Sequence, residues 1–385
     1  MARLGDIGTI ITGNTPTTSD KRNYNSNDIC FVKPSDIAEI DLTVLSHTEY
    51  HISEYAQAKA RILPPESILV TCIGTIGKVA INSIECAFNQ QINAIIPDKG
   101  KCNTKYLAYA IQYKRPQLQS IANAPVVPIL NKSQFSDLEI NIPRLDEQRK
   151  IAETLDKVSD LIAKRRQQLD KLDLLVKSKF IEMFGDPMQN AKNWPVNQLS
   201  DHIKFLTSGS RGWAKYFTDD GEYFITIKNV KDCRITLENI QHIVPPDNAE
   251  AKRTKVQPGD LLISITADLG RTGVVSKEIA EHGAYINQHL TCIRLNKEGL
   301  HPLYVAYYME SNAGKAQFEA KNQSGVKAGL NFNSINSLKL LVPPLYMQQD
   351  FAGFVHQTNQ SKAIIQQSLE KLDTLKKSLM QEYFG

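Results

Sequence analysis

Leu169-Asp-Lys-Leu-Asp-Leu-Leu-Val-Lys-Ser178 and Leu369-Glu-Lys-Leu-Asp-Thr-Leu-Lys-Lys-Ser378 are one segment written twice, 200 residues apart. The same offset pairs Asn131 with Asn331, Pro143 with Pro343, Gln148 with Gln348, Ala152 with Ala352 and Gly185 with Gly385. Between 131–185 and 331–385, 18 of 55 positions are identical without a gap, far above chance. Upstream the offset drifts. Lys33 pairs with Lys228 at 195, Gly74-Thr-Ile-Gly77 with Gly270-Arg-Thr-Gly273 at 196, and Asn89-Gln90 with Asn287-Gln288 at 198. The drift implies a few extra loop residues in the second copy. A period near 200 is too long for a solenoid, so the chain reads as a duplicated unit, roughly 1–185 and 186–385.

The last 40 residues of each unit read as helix. No Pro or Gly interrupts Glu147 to Phe184. Leu155, Ile162, Leu169, Val176 and Met183 recur every seven residues, with Val158 and Leu172 in a second column that Arg165 and Lys179 interrupt. In the second copy Val355, Leu369 and Tyr383 hold the first column, interrupted by Lys362 and Lys376; Ile365, Leu372 and Leu379 hold the second. A heptad seam flanked by polar positions is a coiled-coil pattern. Pro143 and Pro343-Pro344 mark the helix starts, Asp146 is a candidate N-cap, and Phe184-Gly185-Asp186-Pro187 is a stop. A helix of about 38 residues is about 57 Å long. If the second helix buries its seam on the first, it runs back along it. The expectation is an antiparallel pair with a globular domain at each end and an internal pseudo-twofold axis, a homodimer written in one chain.

The front of each unit is mixed α+β. Ser67–Ile73, Asp260–Thr266, Ile92–Ile96 and Leu290–Leu295 read as buried strands; Lys105–Tyr113 and Leu303–Met309 read as helices. Composition adds bounds. The apolar fraction is 42%, the charged fraction 22% and the formal charge +4, so a nucleic-acid partner is permitted but not demanded. Cys30, Cys72, Cys86, Cys102, Cys233 and Cys292 form no CxxC pair and read as reduced thiols. The start lacks a signal-peptide pattern, and no run approaches the ~18 apolar residues of a membrane span, so a cytoplasmic protein is expected.

Two related heads on a stiff spacer suit a bipartite target, and two DNA half-sites at fixed separation are the natural case. The residues here carry a resemblance. Leu4-Gly-Asp-Ile-Gly, Phe31-Val-Lys-Pro-Ser-Asp-Ile, Phe88-Asn-Gln-Gln-Ile-Asn-Ala-Ile, Ile142-Pro-Arg-Leu-Asp-Glu-Gln-Arg-Lys-Ile-Ala and Met183-Phe-Gly-Asp-Pro followed by Trp194-Pro resemble the specificity (S) subunit of type I restriction–modification systems. The second copy echoes them in Leu199-Ser-Asp, Phe224-Ile-Thr-Ile-Lys-Asn-Val, Ile286-Asn-Gln-His-Leu and Val342-Pro-Pro-Leu-Tyr-Met-Gln-Gln, and Gly209-Ser-Arg-Gly-Trp213 resembles the opening of a target recognition domain. Met347 departs from the acidic residue the family favours before Gln, which weakens the expected second helix start. The resemblance implies four segments: target recognition domains at 1–143 and 186–343, a central helical spacer at 144–185 and a C-terminal one at 344–385. It implies double-stranded DNA and two methyltransferase (M) subunits as partners, joined by restriction (R) subunits. S-adenosylmethionine would sit on M, ATP and Mg on R, and no cofactor on this chain.

The chain's own motifs place the chemistry elsewhere. No Asp/Asn-Pro-Pro-Tyr/Phe motif for adenine methylation is present; Val244-Pro-Pro-Asp and Val342-Pro-Pro-Leu lack the residue that would bind the exocyclic amine. Gly74-Thr-Ile-Gly-Lys78 is too short for a P-loop, and Val79 stands where a Mg-binding hydroxyl is needed. His47 and His51 have i, i+4 spacing without a third ligand. Neither catalytic nor metal residues are therefore assigned. The heads should share scaffold and differ where they read bases. The shared Lys33/Lys228, Asn89/Asn287, Gln90/Gln288 and Gly77/Gly273 become frame or phosphate-contact candidates. The divergent Thr17, Lys21, Arg22, Thr75, Lys78 and Gln91 in head one become base-contact candidates, as do Ser210, Arg211, Lys215, Arg271 and His289 in head two. Trp213 either stacks on a base or anchors its loop; Lys164-Arg-Arg166 either touches phosphate or faces solvent or the M subunit. Two other readings compete: a coiled-coil adaptor with two protein-binding heads, and a self-contained enzyme. Salt-independent DNA binding would favour the first.

Overall fold

The computed structural model describes residues 1–122, 127–296, 298–322 and 329–385. It forms two compact units, Met1–Gln167 with Ile365–Gly385, and Gln168–Ile364. Each unit therefore takes part of both long helices, which run Leu145–Phe184 and Leu345–Phe384, each 40 residues.

The first unit holds a five-stranded sheet ordered Gly8–Thr12, Ile92–Pro97, Ile68–Thr71, Val79–Asn82, Thr43–Leu45, antiparallel except for its last pair. A four-stranded sheet, ordered Tyr50–Ile52, Ile29–Val32, Cys86–Phe88, Ile62–Leu63, lies beside it in the chain. All four residues of Ile68–Thr71 and of Val79–Asn82 are buried, which is why these runs read as apolar rather than alternating. The second unit repeats the plan. Its six-stranded sheet is ordered Ile203–Ser208, Leu290–Leu295, Leu261–Ser264, Thr272–Val274, Cys233–Ile235, Val230–Lys231, and its four-stranded sheet Phe217–Thr218, Gln241–Ile243, Glu222–Ile225, Ala284–Ile286. Helices Thr104–Tyr113 and Arg115–Ile121 in one unit answer Pro302–Glu310 and Asn312–Lys321 in the other.

The heptad columns point inward. In the first unit Ile151, Ala152 and Leu155 share a core with Met380, Phe384 and Tyr106, and the Phe384 ring lies 5.2 Å from that of Tyr106. The start of the first long helix thus packs where the second one ends. In the second unit Phe180 and Phe184, near the end of the first long helix, meet Tyr304, the first stacked and the second edge-on, and meet Phe351, near the start of the second helix, at 5.4 and 5.6 Å. Within each unit the two helices are antiparallel. The lysines that break the second helix's column are paired: Lys362 bonds Asp173, and Lys376 faces Asp41.

One buried amide fixes each helix start. Gln148 takes the Asn103 amide at 2.8 Å and donates to Lys101 O and Pro143 O at 3.1 and 2.8 Å. Gln348 repeats this with His301 N, Gly299 O and Pro343 O at 2.9, 2.8 and 2.7 Å. Two expectations are corrected. Asp146 is not an N-cap; it lies within the first turn, one residue past Leu145, where a carboxylate still favours the positive end of the helix dipole. Met347 does not shift the second start, because the Gln348 bonds, not the preceding acid, hold it.

Candidate nucleic-acid interface

In the first unit a tight loop joins Ile68–Thr71 to Val79–Asn82. Thr71 Oγ1 donates to Thr75 O at 2.5 Å and accepts from Lys78 N at 3.0 Å, while Gly77 N reaches Thr71 O at 2.9 Å. The second unit builds the same turn from Ser264: its Oγ donates to Asp268 O and accepts from Arg271 N at 2.9 Å, and Gly270 N reaches Ser264 O at 3.0 Å. Gly77 and Gly270 share φ near +80° (82° and 79°), and Gly74 at 74° is matched by Ala267 at 60°. The pairing of Gly74-Thr-Ile-Gly77 with Gly270-Arg-Thr-Gly273 is therefore off by three. Gly77 matches Gly270, whereas Gly273 sits in a strand where a Cβ would come within 2.7 Å of Ile235.

A second loop packs beside the first. Asn89 Oδ1 accepts Gln91 N at 3.1 Å, and Asn287 Oδ1 accepts His289 N at 3.1 Å. These Asx turns tie to the first loop through Cys72 N to Gln91 O at 2.8 Å and Ile265 N to His289 O at 3.0 Å. The pairs Asn89/Asn287 and Gln90/Gln288 thus occupy equal places. Gly13 and Gly209 lie so close that a Cβ would stand 2.1 Å from Asn89 O and 2.0 Å from Asn287 O. A third piece follows the strand Ile29–Val32. Asn89 N donates to Val32 O and Asn287 N to Ile225 O; Lys33 N donates to Asp36 Oδ2 at 2.7 Å and Thr226 N to Asn229 Oδ1 at 3.0 Å. Lys33 therefore matches Thr226, and Lys228 matches Ser35. The identity of Lys33 and Lys228 is not a shared site.

Together these loops make a cleft of about 340 Å³ in the first unit, lined by Lys33, Pro34, Ser35, Ile73, Thr75, Lys78 and Gln91. Four of the sequence candidates thus meet. Thr75 is exposed. The Lys33 ammonium sits over the Tyr50 ring, 3.1 Å from its centre. Lys78 Nζ is spent on the carbonyls of Pro34 and Ile37, both at 3.1 Å. Gln91 accepts from Asn89 Nδ2 at 3.0 Å, and Gln90 accepts from Thr15. Thr17, Lys21 and Arg22 are exposed on a neighbouring loop. Thr17 bonds Ser19 at 2.8 Å, and Arg22 forks onto Asp20 at 2.9 and 3.1 Å. Arg22, aided by Lys59, holds the Asp20 carboxyl well below the usual carboxylate range.

In the second unit Arg211, Lys215 and Lys228 are exposed. Lys215 lies 5.0 Å from the Tyr216 ring, Arg271 forks onto Asp268, and Gln288 Nε2 donates to His289 Nε2 at 3.2 Å. That donation leaves His289 Nδ1 to carry the proton toward Thr266 Oγ1 at 2.6 Å. One expectation changes. Ser210 is 2% exposed with its hydroxyl on Thr254, so it belongs to the frame. Trp213 is buried against Phe224 and Tyr285 and donates to Glu250 at 3.2 Å, so it anchors its loop. Arg166 of the basic triplet bonds Asp41, while Lys164 is exposed. His51 lies 3.7 Å from Cys30 Sγ, and among the described residues no cluster could hold a metal ion. Burial pushes the Cys72 thiol to about 11 and those of Cys86 and Cys102 to about 12, which keeps them protonated.

Sequence reasoning missed Tyr50 and Tyr55. Both are exposed, and Tyr55 carries Arg22 at 4.6 Å and Lys59 at 4.0 Å over its ring. Neither repeats in the second copy, so internal comparison gave no signal for them. Among the described residues no helix is long and apolar enough to cross a membrane.

The family model described as the type I restriction modification DNA specificity domain matches residues 1–173 and again 192–374. The type I restriction enzyme MjaIX specificity subunit of Methanocaldococcus jannaschii is 32% identical over 251 residues, 60% of this chain and 57% of that one. The HindI specificity subunit of Haemophilus influenzae is 35% identical over 146 residues, 37% of this chain. The chain thus spans about half and about a third (57% and 31%) of these two relatives. The crystal structure of the type I restriction–modification S subunit from M. genitalium matches with a TM-score of 0.61 at 12% identity, covering 100% of this chain and 95% of that one, and shares the fold.

Proposed function

The chain belongs to the type I restriction modification DNA specificity domain family, and we propose that it reads a bipartite, asymmetric DNA target as the non-catalytic specificity subunit of such a complex. Each domain reads one half-site. The long helices set the gap and dock two M subunits, which supply S-adenosylmethionine and methylate adenine N6; R subunits join them and bring ATP and Mg. This chain binds none of those cofactors itself.

One observation carries the reading. The two domains build the same three-loop frame and present different side chains from it: Lys33 against Thr226, Ser35 against Lys228, Thr75 against Asp268 and Gln91 against His289. A shared frame with unlike donors and acceptors suits two unlike half-sites, because base edges are told apart by donor and acceptor pattern. Long-read methylation mapping in cells carrying this chain and its M subunit tests it. A two-part motif with a fixed gap is expected; a continuous motif, or none, contradicts it.

A further inference from the structure

A strap of the first unit runs from the cleft to the long helices. Lys33 and Ser35 line the cleft at one end. Along it, Lys78 holds the carbonyls of Pro34 and Ile37 at 3.1 Å, Arg115 holds the Glu39 carboxylate at 2.5 Å, and the Gln112 amide holds Ile40 O. At the far end stands Asp41. Its carboxylate is bonded by Arg166 of the first long helix and faced at 3.8 Å by Lys376 of the second. Arg166 also lies 4.0 Å from Asp373. One acid thus takes a cation from each helix.

This explains why a lysine breaks the hydrophobic column at 376. Its side chain is only 14% exposed, so its charge is desolvated and needs a fixed counter-charge. Asp41 supplies one only when the strap and both helices are in register. The second unit lacks the tie: in the register that matches Ser35 with Lys228, the counterparts of Ala38, Glu39 and Asp41 are Lys231, Asp232 and Arg234, and among the described residues these form no ion pair.

We propose that Asp41 is a positioning residue that fixes the first domain's cleft to the paired helices, so that fidelity at one half-site depends on an ion-pair node the other domain does not have. The proposal rests on the DNA-reading role given above. It is tested by methylation mapping of wild-type, Asp41→Asn and Asp41→Glu chains, each with the M subunit, with Arg211→Ala as a marker for the second domain's half-site. For Asp41→Asn, methylation at sites mismatched in one half is expected to rise roughly five-fold or more, the low end of a coupling between sites. That half is the one Arg211→Ala leaves alone, and the other half and the Asp41→Glu motif stay as in wild type. An unchanged motif for Asp41→Asn, mismatches spread evenly over both halves, or complete loss of methylation would each overturn it. A wild-type chain with no two-part motif is a separate result that removes the reading beneath it.

Discussion

The side-chain carbonyl of Gln148 accepts the backbone amide of Asn103 at 2.8 Å inside a fully buried site. Its side-chain Nε2 donates to Lys101 O and Pro143 O, so one side chain joins a domain loop to the start of the long helix. Replacing it with leucine keeps the volume and strands three backbone groups. An unmade buried hydrogen bond costs about 1–3 kcal/mol, so Gln148→Leu should lose roughly 2–4 kcal/mol in urea unfolding, allowing for relaxation. An unchanged midpoint would mean the clamp does not hold the helix.

Arg211 differs from the other arginines of the candidate interface. Arg22 and Arg271 are forked onto Asp20 and Asp268, whereas Arg211 is exposed and pairs with no acid among the described residues. It can reach a guanine edge without first breaking an ion pair. Arg211→Ala should weaken binding by about 1–3 kcal/mol and relax one position of one half-site. Equal weakening on every sequence tested by fluorescence anisotropy would make it a phosphate contact instead.

His301 gives the second unit a pH dependence of known sign. Its Nδ1 accepts the Leu303 amide at 3.2 Å as a helix cap, and burial pushes its pKa below the ordinary histidine value of 6.5. The unfolded chain therefore takes up the proton first. Stability is full above pH 6.5 and falls as the pH drops from there through the folded pKa. Thermal melts at pH 7.5 and 5.5 should show this loss in the wild type and a smaller one in His301→Asn, which keeps a cap without a charge. Equal losses in the two chains would assign the effect elsewhere.

The duplication and the long helices were legible because both are written in many residues. Heptad columns sustained over 40 positions, with no Pro in either helix and Gly353 the single glycine, leave few alternatives. Single-residue matches between the copies were not safe. Lys33 and Lys228 look equivalent by letter, yet the bonds from Asn89 to Val32 and from Asn287 to Ile225 place them two residues apart. Gly74 and Gly270 look equivalent too, but left-handed backbone at 267 is borne by an alanine, which hid the true register. Ser210 sits in an apparently basic loop, and only the bond of its hydroxyl to Thr254, 44 residues away, shows that it faces inward. Asp41 carried no signal, because its partners lie 125 and more residues away on helices whose register the sequence does not fix.

If the long helices set the gap between two half-sites, lengthening them lengthens that gap. Seven residues inserted into each long helix add one heptad, about 10 Å, or about three base pairs of rise, while keeping the seam in phase. Methylation mapping of that chain with its M subunit should return both half-sites unaltered and a longer gap between them. The original gap, with methylation retained, would show that the helices are not the ruler.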